Sequence, residues 1–172
     1  AAAMGNDSFR RCLAFHSLSK RSNVPGLRSG FVAGDADLIE PYFRYRTYHG
    51  SAMPPATQDA SERAWRDERH VVENRRLYRE KFAAVTDILA PVLDVSAPPA
   101  AFYLWPRTPI DDESFSRRLR EQQNVIVLPG TYLSRDTPTG NPGCNHVRMA
   151  LVAPLDECIE AAQRIRAFVE TL

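Results

Sequence analysis

At 172 residues, 44% hydrophobic and 25% charged, the chain has the composition of a soluble globular protein and room for one modest domain or for parts of two. Its 22 Lys+Arg against 21 Asp+Glu leave a net charge of +1, which gives no electrostatic reason to expect nucleic acid or an anionic membrane as partner. No apolar run reaches membrane-spanning length and no signal-peptide pattern opens the chain.

The first residues, AAAMGNDSF, read as a chain joining a fold already under way. RCLAFH (11–16) is a short apolar run consistent with a buried strand. RSGFVAGD (28–35) reads as a second strand beyond the Pro25-Gly26 turn, stopped by Gly34 and Asp35. Asp35 can cap a helix through ADLIEPYFRYR, with Pro41 as its weak point. YHGSAMPP is a loop. Residues 56–90 contain no Gly or Pro, and Val71, Leu77, Val85, Ile88 and Leu89 fall on one helical stripe, which predicts a single long amphipathic helix ended by Pro91. Its Glu and Arg form a solvated face.

Beyond Pro91, VLDVS and AAFYLWP read as strands separated by Pro98-Pro99. DDESFSRRLREQQ is a helix with acidic residues at its start and basic ones later, as the helix dipole favours. NVIVLPG is a strand, residues 131–145 a Gly/Pro/Thr-rich loop, HVRMALV a strand, and PLDECIEAAQRIRAFVETL a closing helix with Pro154 near its start. Within AAFYLWP, Phe102 and Leu104 read as core, whereas Tyr103 and Trp105 fit equally a core or the lining of a substrate entrance.

Cys12, Cys144 and Cys158 are an odd number without a CxxC pair and read as free thiols of a reducing compartment. Neither Cys12 with His16 nor Cys144 with His146 makes a four-ligand set, so no metal is expected.

Lys20 stands out because the chain has only one other lysine, Lys81. A strand delivers it to a loop. Ser17 and Ser19 precede it, and Arg28 follows a tight turn. Two hydroxyls and a guanidinium suit a phosphate dianion, since Arg binds phosphate bidentately and Ser donates without adding charge. A lysine beside a bound phosphate suits a Schiff base with an aldehyde. Aldehyde, phosphate and lysine together describe pyridoxal phosphate (PLP). Arg148 alternates with Val147 and Met149 and so faces away from them; by pattern alone it is an exposed strand arginine.

SLSKRSNVPGLRSGFVAGD resembles the cofactor-lysine motif of class I/II, fold-type I PLP-dependent aminotransferases. YRTYHGSAMPP, ENRRLYREKFAAV, AFYLWPRTP, VLPGTYL and NPGCNHVRMALVAPLDECIEAAQRI extend the resemblance over nearly the whole chain, closest to succinyldiaminopimelate aminotransferases. The resemblance implies an α/β fold forming the C-terminal part of such an enzyme. Residues 1–55 would end the PLP-binding large domain, 56–91 form a long interdomain helix, and 92–172 make a small α+β domain. Lys20 would hold PLP and move the proton at the substrate α-carbon. Ser17 and Arg28 match phosphate-binding positions, Ser19 a supporting one, and Arg148 the grip on the substrate α-carboxylate.

Tyr48, His49 and Ser51 lie in the loop that, in this family, approaches the neighbouring subunit's active site; His49 reads as structural. The glycine-rich phosphate turn, the ring-stacking aromatic, the asparagine and tyrosine at the ring hydroxyl and the aspartate at the ring nitrogen would all precede Ala1. The isolated chain is therefore expected to be inactive. The implied activity is transfer of an amino group from glutamate to N-succinyl-2-amino-6-oxopimelate by a cytoplasmic homodimer acting on small amino and keto acids. Alternatives are another class I aminotransferase or a carbon–sulfur lyase on the same scaffold, a PLP-sensing domain of a transcription regulator, and a degenerate dimerisation domain. Retention of Ser17, Lys20, Arg28 and Arg148 together argues against the last.

Overall fold

The computed structural model describes residues 9–172, so the opening octapeptide and the reading placed on it lie outside the described residues. Two compact units divide between Glu73 and Asn74.

In the first unit, β1 (Leu13–Ser17) pairs antiparallel with β2 (Gly30–Gly34), from Leu13 opposite Gly34 to Ser17 opposite Gly30. The pairing needs glycine at position 30, because a Cβ there would lie 2.5 Å from the His16 carbonyl oxygen. Between the strands run α1 (Leu18–Arg21) and a 3-10 turn, Pro25–Leu27. The buried strand expected at 11–16 is instead open: Phe15 and His16, on alternating faces, are both exposed, and among the described residues β1 has one partner strand. Phe43 and Tyr48 are also exposed.

Asp35 caps α2 (Ala36–Arg46), accepting the Asp37 N–H at 2.9 Å and, from across the sheet, the Arg11 N–H at 2.5 Å. These donors, Arg11 foremost, hold its carboxyl below the usual aspartate range. Helix α2 runs through Pro41 without breaking.

The single helix expected over 56–91 is two helices, α3 (Pro55–Arg66) and α4 (Arg69–Leu89). Asp67 is extended (φ −91°, ψ 111°), and its carboxylate accepts the Arg69 N–H at 3.0 Å. A short acidic side chain that can bond nearby N–H groups competes with helix continuation, and here it starts a new helix instead.

The second unit, Asn74–Leu172, packs α4 with α5 (Asp112–Gln123) and α6 (Leu155–Val169) around a three-stranded antiparallel sheet. Strand β5 (Val147–Ala150) lies between β3 (Tyr103–Leu104) and β4 (Leu128–Pro129). Leu89, Leu104, Phe115, Leu119, Val147 and Phe168 are fully buried, and the rings of Phe115 and Phe168 meet edge to face at 5.2 Å. Each such side chain contributes about 1.5–3 kcal/mol on burial. VLDVS forms no strand; only Asp94 bridges, opposite Arg107, while Leu93 joins the core cluster and Val92 and Val95 pack against it. Phe102, expected in the core, is half-buried with its ring against Tyr103.

Candidate active site

Ser17 ends β1 and caps α1. Its Oγ accepts the Ser19 N–H at 3.1 Å, lies 2.9 Å from the Ser19 hydroxyl, and reaches the Ser29 carbonyl at 3.3 Å. Leu18, fully buried, anchors the turn and donates its N–H to the same carbonyl at 3.1 Å. Lys20, two residues on, is exposed. The chain therefore returns to Ser17 through Ser29.

Arg28 sits in the left-handed region (φ 50°, ψ 35°), and its guanidinium donates to the Pro25 carbonyl at 2.8 Å, within its own turn. The structure thus brings Ser17 and Ser19 into direct contact, while the bond recorded for the Arg28 side chain goes to Pro25 and to neither serine. Ser29 was not a candidate in the sequence, yet it is buried and its hydroxyl has no partner among the described residues. A buried hydroxyl left unpaired costs about 1–3 kcal/mol. Together with the exposed Ser17 hydroxyl and Arg28, it makes a donor set chemically suited to a phosphate monoester next to a primary amine.

The break between α3 and α4 holds this turn from its far side. The last carbonyls of a helix have no intrahelical partner, and those of Ala64 and Trp65 accept from the Arg21 guanidinium at 2.9 and 3.4 Å. The same side chain, 17% exposed, pairs with Glu68 and lies 5.0 Å from the centre of the Trp65 ring. Ser22 Oγ is 2.8 Å from His70 Nε2, and His70 Nδ1 is 3.0 Å from the Asp67 carboxylate. The His70 bond, then the Arg69 N–H, hold the Asp67 carboxyl below its usual range. These residues gave no signal in the sequence beyond a charge run.

In the second unit, β5 sends Val147 and Met149 into the core and leaves Arg148 on the opposite face, half-buried, its guanidinium carbon 5.8 Å from the Tyr103 ring centre. The turns feeding β5 are set by Asp112, which is fully buried. Its carboxylate accepts from the Thr131 N–H (3.0 Å), the Thr131 hydroxyl (2.7 Å) and the Asn145 N–H (3.1 Å). Burial pushes the Asp112 carboxyl up, but these donors outweigh it and leave it below the usual range. Gly130 is required beside it, since a Cβ there would lie 2.3 Å from the Gly143 carbonyl oxygen.

Trp105 is partly exposed and stacks on His146 at 5.9 Å. Tyr48, His49 and Ser51 are exposed, with Tyr45 stacked on His49 at 4.3 Å. Among the described residues no three His, Cys, Asp or Glu groups gather as a metal site, and no helix is long and apolar enough to cross a membrane. His146 Nδ1 lies instead 2.8 Å from the Cys144 carbonyl.

Lys20 thus lies in α1, three residues beyond the end of β1, with Ser17 and Ser19 before it and Arg28 after the turn. The chain belongs to the aminotransferases of class I and II, whose pattern it matches over residues 2–165. It is similar to an aminotransferase from Neisseria meningitidis of known structure (54% identity, TM-score 0.90), covering 98% of this chain and 43% of that one. It also resembles a solved probable N-succinyldiaminopimelate aminotransferase from Thermus thermophilus (32% identity, TM-score 0.80), over 94% of this chain and 43% of that one. An LL-diaminopimelate aminotransferase of Syntrophobacter fumaroxidans is 33% identical over 156 residues, 88% of this chain and 39% of that relative. The chain thus spans well under half the length of the relatives it matches.

Proposed function

We propose that the chain serves PLP-dependent transamination, with glutamate as amino donor and N-succinyl-2-amino-6-oxopimelate as acceptor. The observation that carries this reading is the turn in which Ser17, Ser19 and the unpartnered buried hydroxyl of Ser29 flank Lys20 and Arg28. When bound, PLP supplies an electron sink for the charge that develops at the substrate α-carbon. Lys20 would hold it through Nζ and, once the substrate amine has displaced that nitrogen and freed it, would move the proton to and from that carbon. Ser17 and Arg28 would take the phosphate with Ser19 in support, and the guanidinium of Arg148 would take the α-carboxylate bidentately, selecting amino and keto acids and fixing the α-carbon. Residues 1–55 serve as the end of the cofactor-binding domain and 92–172 as the small domain, and the working enzyme is a cytoplasmic homodimer.

The acceptor is supported by the Thermus thermophilus likeness. The Syntrophobacter fumaroxidans relative favours unsuccinylated diaminopimelate as a second substrate candidate, in the role of amino donor because it carries amines and no keto group. Changing Lys20→Ala in the holoenzyme is expected to abolish the visible absorbance of the lysine-bound cofactor together with amino transfer from glutamate. Survival of that absorbance would refute the role of Lys20. A coupled assay comparing the succinylated acceptor with oxaloacetate, and glutamate with unblocked diaminopimelate as donor, decides the substrate.

A further inference from the structure

The outer face of the small sheet carries more positive charge than the α-carboxylate needs. Tyr103 pairs with Ala150 and Leu104 with Met149, and the same register continues to the bridge between Arg107 and His146. Leu104, Pro106, Val147 and Met149 are buried, so Tyr103, Trp105 and Arg107 share the other face with His146 and Arg148. The register sets Trp105 opposite Arg148 and makes Arg107 a diagonal neighbour of Arg148, about 7–8 Å away along the backbone.

Between the two arginines lies a shelf formed by the Trp105 and His146 rings, stacked within 11° of parallel. Arg148 leans away from Arg107, over Tyr103. Tyr103, Trp105, Arg107 and His146 line one cavity of about 610 Å³. Asp94 lines it too, and its backbone bridges Arg107, but among the described residues no carboxylate forms an ion pair with the Arg107 guanidinium.

We propose that Arg107 is a second carboxylate-binding residue, taking the distal carboxylate of a long dicarboxylic amino or keto acid whose α-carboxylate is on Arg148 and whose methylene chain lies on the Trp105–His146 shelf. The inference rests on the α-carboxylate role given to Arg148 above. Two guanidiniums on either side of an aromatic shelf suit a six- or seven-carbon diacid. Aromatic faces favour the methylenes by contact, and each guanidinium can bond its carboxylate in a fork.

The test uses the holoenzyme and its Arg107→Gln and Arg107→Lys variants. The ratio of kcat/KM for a seven-carbon dicarboxylic acceptor to that for a monocarboxylic acceptor of equal length is expected to fall tenfold or more in Arg107→Gln, the loss of one charge-assisted pair. Arg107→Lys, which keeps the charge without the fork, should restore part of it. Calorimetric binding of pimelate against heptanoate should show the same loss of preference. An unchanged ratio in both measurements overturns the proposal, and thermal melting of both variants excludes misfolding as the cause. Should the holoenzyme transfer no amino group at all, the proposed function fails, while the pimelate preference still judges Arg107.

Discussion

Asp112→Asn isolates the buried carboxylate that shapes the approach to Arg148. The native group is acceptor-only and meets three donors, two from Thr131 and one from Asn145. An asparagine of the same shape has one acceptor oxygen and a donor NH2. Turning the oxygen toward Thr131 keeps two bonds but points NH2 at the Asn145 N–H, leaving a donor facing a donor where no water reaches. The loss is one bond to a charged group, about 1.5–3 kcal/mol, and a weakening of the other two from charged to neutral acceptors. A total of about 2–4 kcal/mol is expected from urea unfolding of the folded enzyme, with an increased KM for α-keto acids as the 145–148 segment shifts.

The pH dependence gives a second check on the same group. The folded carboxyl lies below its unfolded value of about 3.9, so its stabilisation is complete above that pH and is lost as pH falls through the folded value. Asp112→Asn should flatten that acid limb. A variant within about 0.5 kcal/mol of wild type would show that the three donors do not depend on the charge, and the reasoning would fail.

Arg21→Ala removes the guanidinium from the Ala64 and Trp65 carbonyls and from Glu68; a loss of about 1.5–3 kcal/mol is expected in denaturant unfolding, little recovered by lysine, which lacks the planar fork. His70→Ala takes away the first cause of the lowered Asp67 carboxyl, so a carboxyl-selective NMR titration should show Asp67 moving up toward 3.8. No movement would mean that the Arg69 N–H alone sets it.

How much was legible in the residues varied with the range of the interaction involved. Strand β2 and helix α2 were readable because Gly34 and Asp35 act within a few residues of themselves. The break between α3 and α4 was not, because a run without Gly or Pro gives no punctuation and Asp67 reads as one charge among many until its carboxylate turns back to Arg69. VLDVS looked like a strand by composition, but its apolar residues found partners in the core cluster and, apart from Asp94, no ladder.

In the candidate site, Lys20 and its serines were proposed from type and spacing, since such a motif is a local arrangement. Arg148 could be placed on a strand face by alternation alone. What folding alone decided were the partners. Ser29 returns to Ser17 twelve residues away, Arg21 reaches the end of a helix more than forty residues on, and Asp112 collects donors from two separate turns. A buried polar group is specified by whichever donors and acceptors the packed chain brings to it, and no local spacing in the sequence encodes that meeting.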